Sequence, residues 1–262
     1  SFIAGSSLNS LAIKNVNSGE TFSKYSGGYS RSVPNHGRDM DSDGQKEIVI
    51  GGSSRYNKAE IEVRELDGKL DYRSSIRGDL VGGKFYKNNL IEYNTNKISL
   101  RTVDGDLLWS RNVDDYTRPI VVGDSIVYSN NGELIFLNEE GEVEDSFDTG
   151  TLENLIYLED HNLVTGSKEG GTVFVNPETK KVHEKNISGV EGLDSTDFDQ
   201  DNESELVVRR VRSVDIVQID NERKTVNQNS IFYGTEPEPV LKAVSLNMTV
   251  FVGNETAVPE RY

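Results

Sequence analysis

The sequence of 262 residues contains no cysteine, only three histidines and a single tryptophan. Without cysteine there can be no disulfide bond, no thiolate metal site and no cysteine nucleophile. No apolar run approaches the roughly 20 residues that a transmembrane helix needs, so no membrane span is predicted. Neither an H-x-x-x-H pair nor a G-x-S-x-G motif occurs, so the sequence offers no recognisable catalytic constellation.

Positive charge is also scarce, since 28 Lys and Arg oppose 44 Asp and Glu and the net charge is −16. A surface this acidic repels phosphate backbones, so we expect no nucleic-acid partner, and it attracts divalent cations. The chain starts at Ser1 without an initiator methionine. This start fits an exported protein whose signal has been removed, and it equally fits a fragment of a longer surface protein.

Short alternating apolar segments recur along the chain and are separated by clusters of Gly, Asn and Asp, without helical periodicity. One strand of each repeat begins near the following residues: Phe2, Ile48, Leu90, Ile126, Leu163, Leu206 and Thr249. A tight turn recurs in the repeats, at Asp67-Gly68, Asp104-Gly105, Glu140-Gly141 and, in degenerate form, Asn221-Glu222. Glycine allows the positive φ that such hairpins require.

A repeat of about 40 residues with four strands is typical of a β-propeller blade. The sequence therefore predicts an all-β fold, a single β-propeller domain over residues 1–262 with six or seven four-stranded blades, seven being favoured. The first repeat lacks one strand and the last, from Pro239 to Tyr262, is also incomplete. We expect the N- and C-terminal strands to close the ring together. A two-sheet sandwich is the alternative that regular strand spacing leaves open.

Two acidic loops have the same pattern, D-x-D-x-D-[G/N]-x-x-E, and each leads into a predicted strand. The first runs from Asp39 to Glu47 and the second from Asp197 to Glu205. A hard cation such as Ca²⁺ takes six to eight oxygen ligands, and alternate residues of a curved loop can direct carboxylates inward. We expect the Gly or Asn at position 6 to adopt a left-handed conformation. An EF-hand would need Glu at position 12, where Ile50 and Val208 stand instead.

The loop pattern resembles the FG-GAP repeat of integrin α-subunit propellers and related surface proteins. The segment from Val103 to Ser110, which includes Trp109, resembles the quinoprotein-like propeller repeat. The first resemblance implies two calcium sites, with these ligand residues: Asp39, Asp41, Asp43, Gln45 and Glu47, then Asp197, Asp199, Asp201, Glu203 and Glu205. A quinone-dependent dehydrogenase is not favoured, because such enzymes are rich in tryptophan and often carry a vicinal cysteine pair.

These observations predict a secreted or cell-surface propeller that is stabilised by calcium and binds a protein or glycan on one of its faces, without catalysis. Two other hypotheses remain open at this point. Carboxylate pairs such as Glu236 and Glu238 keep a polysaccharide-degrading enzyme under consideration. The incomplete terminal repeats would also fit one domain of a larger surface filament, spike or assembly scaffold.

Overall fold

A computed structural model provides the fold. It describes residues 2–7, 10–15, 21–26, 39, 43–53, 58–65, 69–77, 82–94, 96–102, 104–114, 118–198, 201–211, 213–219, 225–230, 241–246 and 249–254. Every regular element in this part of the chain is a β-strand, as the alternating pattern predicts. No helix long and apolar enough to cross a membrane occurs among these residues.

The N-terminal part forms two sheets of three strands each, with the strands in chain order. Sheet 1 contains β1 (Phe2–Ser7), β2 (Ser10–Asn15) and β3 (Thr21–Ser26). Sheet 2 contains β4 (Glu47–Ser53), β5 (Lys58–Glu65) and β6 (Leu70–Arg77). Both sheets are antiparallel throughout.

Sheets 3 and 4 each have four strands in simple sequence order. Sheet 3 contains β7 (Gly82–Tyr86), β8 (Asn89–Asn94), β9 (Lys97–Thr102) and β10 (Leu107–Asn112). Sheet 4 contains β11 (Ile120–Val122), β12 (Ser125–Asn130), β13 (Glu133–Leu137) and β14 (Val143–Asp148).

The C-terminal part repeats the four-stranded pattern twice and ends in a strand pair. Sheet 5 contains β15 (Glu153–Leu158), β16 (Leu163–Lys168), β17 (Gly171–Asn176) and β18 (Lys181–Lys185). Sheet 6 contains β19 (Gly192–Thr196), β20 (Glu205–Arg209), β21 (Val214–Ile219) and β22 (Thr225–Ser230). Sheet 7 contains β23 (Leu241–Leu246) and β24 (Thr249–Asn254).

The predicted repeat matches the observed strands closely. The strands expected at Phe2, Leu163 and Thr249 begin at those residues, and the other four begin within one residue of the predicted position. The hairpin glycines Gly105 and Gly141 have φ of +93° and +79°, so the left-handed conformation predicted for them is confirmed. The Asp67-Gly68 and Asn221-Glu222 turns lie outside the described residues, as does the ring closure that involves both chain ends.

The chain divides into two compact units, residues 1–131 with 135–145 and residues 132–134 with 146–262. In the first unit, β-branched and aromatic side chains of sheets 3 and 4 form one core, which includes Ile91, Ile98 and Tyr128. In the second unit, sheets 5 and 6 contribute Leu163, Leu206 and Val208 to another. These middle-strand residues are buried on both faces of the sheets, which explains their nearly continuous apolar character.

Aromatic side chains on outer strands cover the hairpin glycines of the next sheet. A Cβ atom placed on Gly105 would lie 2.5 Å from the Tyr72 ring, and one on Gly141 would lie 2.7 Å from the Trp109 ring. The Trp109 indole N–H donates to the Glu139 carbonyl at 2.8 Å, and Arg111 Nη1 donates to the Gly141 carbonyl at 2.7 Å. The glycines are therefore required both for their backbone conformation and for the space that the rings occupy.

Candidate metal centre

The first acidic loop brings three carboxylates together at the start of β4. One carboxylate oxygen each from Asp39, Asp43 and Glu47 lies within 4.8 Å of the other two. Glu47 is the first residue of β4 and is buried, whereas Asp43 is exposed. The strand therefore holds one carboxylate beneath the loop, and the loop supplies the other two.

Backbone amides orient the loop carboxylates. Gly44 has a φ of +91°, and its amide donates to Asp39 Oδ2 at 3.0 Å. The next amide, of Gln45, donates to Asp43 Oδ1 at 2.8 Å. Each aspartate thus has one oxygen that is oriented by a backbone amide.

The donor set of the first loop fits a hard cation. Asp39 Oδ1 is buried, and no described residue donates a hydrogen bond to it. Leaving such an oxygen without a partner costs about 1–3 kcal/mol. Ionised carboxylates at this separation also repel one another, by on the order of 3 kcal/mol for each pair near a protein surface. A divalent cation would remove both costs, because carboxylate oxygens are the ligands that Ca²⁺ prefers.

The second acidic loop repeats the backbone arrangement of the first. Asn202 has a φ of +70°, and its amide donates to Asp197 Oδ2 at 3.1 Å. The Glu203 amide donates to Asp201 Oδ1 at 2.8 Å. The left-handed conformation predicted at position 6 is therefore confirmed in both loops, by Gly44 in one and Asn202 in the other.

The two loops differ in how their described carboxylates are grouped. Glu205, the first residue of β20, is buried like Glu47, but its Oε2 accepts a hydrogen bond from the Phe198 amide at 2.6 Å. Across the described ranges, only the first loop gathers three carboxylates within ligand-sharing distance. Glu205 therefore braces the start of its own loop, and Glu47 lies with Asp39 and Asp43.

Not every predicted ligand can be assigned a place. Asp41 and Asp199, the central aspartates of the two patterns, lie outside the described residues. Gln45 and Glu203 have exposed side chains, and their backbone amides support the preceding aspartates. The calcium ligation predicted for the ten residues stays a prediction.

Sequence reasoning missed a contact between the second loop and a turn of sheet 5. Ser204 Oγ donates to Asp160 Oδ2 at 2.6 Å, and the His161 Nε2 atom lies 3.1 Å from the Ser204 carbonyl oxygen. A carbonyl only accepts, so Nε2 carries the proton. The partners are more than 40 residues apart in the chain, and no local pattern connects them.

One lysine outside the loops has a perturbed acid–base equilibrium. Burial, followed by the nearby positive charge of Arg118, lowers the pKa of Lys84 on β7 to about 8. Desolvation disfavours the ammonium form, and a like charge adds to this effect. A perturbed lysine by itself defines no reaction, and Glu236 and Glu238 lie outside the described residues.

No protein-family model and no curated protein matches this sequence. Solved structures do match. Sqt1 from Saccharomyces cerevisiae has a TM-score of 0.67 at 11% identity, covering 97% of this chain and 78% of that one. The dihydro-heme d1 dehydrogenase NirN, solved in complex with DHE, has a TM-score of 0.65 at 12% identity, covering 87% of this chain and 53% of that one.

A chain of the mitotic checkpoint complex is also similar, with a TM-score of 0.63 at 10% identity over 87% of this chain and 72% of that one. These three neighbours have β-propeller-like folds. At such low identity the likeness concerns the fold alone. Together with the repeated antiparallel sheets, it confirms the predicted class: the chain has an all-β, β-propeller fold. The number of blades stays a prediction.

Proposed function

We propose that this chain is a calcium-stabilised β-propeller that displays its loops for recognition of a protein or glycan outside the cell, without catalysis. The observation that carries the proposal is the convergence of Asp39, Asp43 and Glu47, together with the buried Asp39 Oδ1. The resemblance of both acidic loops to FG-GAP calcium loops supports the same ion at each.

The proposed role of the ion is structural. Asp39, Asp43 and Glu47 would hold it at the first loop, with Asp41 and Gln45 as further ligands implied by the resemblance. A bound Ca²⁺ replaces repulsion among the carboxylates with attraction, and it ties the loop to the first residue of β4. Binding of this kind would stabilise the loop without any change in the strands that follow it.

The setting outside the cell is inferred from the chemistry of the loops and the charge. Calcium modules outside cells work at dissociation constants of about 10⁻⁴–10⁻³ M, where short acidic loops suffice. A net charge of −16 favours cations and disfavours nucleic acid. Propellers carry their connecting loops on two faces, and loops on a rigid scaffold commonly bind partners.

Recognition of a macromolecule is preferred over an enzymatic role. Sequence identity to NirN is 12%, and this chain covers 53% of that chain, so the dehydrogenase activity of NirN does not transfer. Assembly into a larger surface structure would be one form of such recognition.

Thermal unfolding of the metal-stripped protein, with and without millimolar Ca²⁺, tests the proposal. At 10 mM Ca²⁺, roughly ten- to a hundredfold above such dissociation constants, binding should stabilise the protein by about 1.4–2.7 kcal/mol per site. Asp43→Ala and Asp201→Ala should each remove part of this increment. Asp148→Ala deletes the same charge on exposed β14 and should leave the increment unchanged.

Absence of any calcium-dependent shift in the wild-type protein would overturn the metal sites. Binding without catalysis has its own test on glycan arrays and polysaccharide substrates. Glycan retention without product formation supports it, and turnover that disappears on a single substitution would contradict it.

A further inference from the structure

The turn between β15 and β16 is attached to the second acidic loop at one residue, Ser204. Asp160 Oδ2 accepts a hydrogen bond from the Ser204 hydroxyl at 2.6 Å, and His161 Nε2 donates one to the Ser204 carbonyl at 3.1 Å. The hydroxyl and the carbonyl of Ser204 are therefore held by two adjacent residues of the same turn. Contact at two points fixes orientation as well as position.

The turn is itself well anchored. Asn162 has a φ of +48°, its amide donates to the Glu159 carbonyl at 3.0 Å, and its side-chain oxygen accepts from Tyr157 at 3.1 Å. The flanking Leu158 and Leu163 are fully buried. They belong to the same core cluster as Leu206, which is the second residue of β20 and directly follows the second loop. The turn and the loop therefore rest on a common core.

Ser204 is the residue between two predicted ligands, Glu203 and Glu205. Its neighbour Glu205 accepts a hydrogen bond from the Phe198 amide at 2.6 Å. At the end of the loop, Ser204 therefore makes the connection to the turn, and Glu205 makes the connection to the start of the loop. Outer partners that hold ligand residues in place are important for metal affinity. The first loop has the exposed Lys46 at the position of Ser204 and lacks this hydroxyl.

We propose that Asp160 and His161 are positioning residues for the second loop, holding Ser204 so that calcium binding there depends on the neighbouring turn of sheet 5. The inference rests on the proposed function, because it assigns a control to one of the two proposed ion sites. It distinguishes the loops: calcium binding at the second is coupled to an adjacent sheet through Ser204, and Lys46 provides no such hydroxyl at the first.

The test is calorimetric titration with Ca²⁺ in an Asp43→Ala background, in which only the second loop should bind. Asp160→Ala should weaken binding about tenfold, the lower end of the loss seen when partners of metal ligands are removed. Asp160→Asn keeps an acceptor oxygen for the Ser204 hydroxyl and should restore most of the affinity. Glu159→Ala removes the same charge one residue away, without touching Ser204, and should change little.

A parallel titration in an Asp201→Ala background reports on the first loop, whose affinity Asp160→Ala should leave unchanged. Ser204→Ala provides a second variant, expected to follow Asp160→Ala. Unchanged second-loop affinity in Asp160→Ala, or an equal loss in Glu159→Ala, overturns the positioning role and leaves the proposed ion sites standing. No calcium binding at all in the Asp43→Ala background overturns the second site and this inference together.

Discussion

The two acidic loops have one backbone design and two different carboxylate arrangements. In both, the amide at position 6 donates to the first aspartate and the amide at position 7 donates to the fifth residue. In the first loop the glutamate at position 9 lies within 4.8 Å of two aspartates, and no such group of three forms among the described residues of the second loop. A shared pattern therefore determines how the chain bends but not where every ligand points.

This difference indicates that the two loops gain their stability in different ways. The first gathers negative charge, with a buried Asp39 oxygen that accepts no hydrogen bond from the described residues, so an ion would stabilise it strongly. The second loop brings no such group of carboxylates together among its described residues, and its Ser204 is attached to the turn of sheet 5. We expect the first loop to depend more on calcium than the second.

The largest expected effect comes from neutralising the two buried glutamates one at a time. Glu47→Gln should weaken calcium binding at the first loop about 100-fold, or ~2.7 kcal/mol. Glu205→Gln should cost about tenfold or less at the second, because no group of three carboxylates forms among the described residues of that loop. Calorimetry with Ca²⁺ in the single-loop backgrounds measures both.

The two glutamine substitutions should have opposite effects on the melting temperature of the metal-free protein. Glu47→Gln relieves carboxylate repulsion and should raise the melting temperature of the stripped protein, whereas Glu205→Gln weakens a charge-assisted hydrogen bond and should lower it. Equal calcium losses and same-sign thermal shifts would show that the loops do not differ in the way described.

A change in the sheets should leave the loop comparison intact. Gly141→Ala should destabilise the protein by about 2 kcal/mol or more, because the new methyl group meets Trp109 at 2.7 Å and the residue has a φ of +79°. Gly123→Ala is the matched control, with a φ of +56° and open space around it, and should cost about 1 kcal/mol.

Urea denaturation measures both glycine variants, and calcium titration should give wild-type increments in each. A calcium increment that falls in Gly141→Ala would mean that the loops report the stability of the whole protein and not their own chemistry. Equal costs for the two glycines would contradict the packing of Trp109 on Gly141.

The smallest effect is expected at position 6, where the loops differ by one residue. Gly44→Ala and Asn202→Ala should each cost about 1 kcal/mol, because alanine tolerates a left-handed conformation poorly. Gly44→Asn and Asn202→Gly each introduce the residue that the other loop has at position 6, and they should change stability by less than about 0.5 kcal/mol. Denaturation of the metal-free variants checks this, and a large cost for either exchange would contradict it.

Some features were predictable because they depend on neighbours in the chain. Alternation and hairpin signals placed strands such as β16 and β24 at their observed starts, and they predicted positive φ at Gly105 and Gly141. The bend at Gly44 and Asn202 followed from the acidic pattern itself, since its hydrogen bonds join residues two and five positions apart. Such short-range geometry is encoded by local residue types.

Other features could not be derived in this way, because they join distant residues. The attachment of Ser204 to Asp160 and His161 spans more than 40 positions, and it required sheets 5 and 6 to pack on one core. The covering of Gly141 by Trp109 likewise depends on which strand lies beside which hairpin. The quinoprotein-like segment contains Trp109, but its sequence does not show what the indole ring contacts.

The all-β repeat, the turns that need left-handed residues and the backbone course of the two acidic loops all follow from local residue patterns. Tertiary packing was needed to show that Glu47 lies with Asp39 and Asp43 and that a neighbouring turn holds Ser204. Hydrogen bonds across a few residues follow from local chemistry. The direction of a buried side chain depends instead on the packing around it, which residues far along the chain supply.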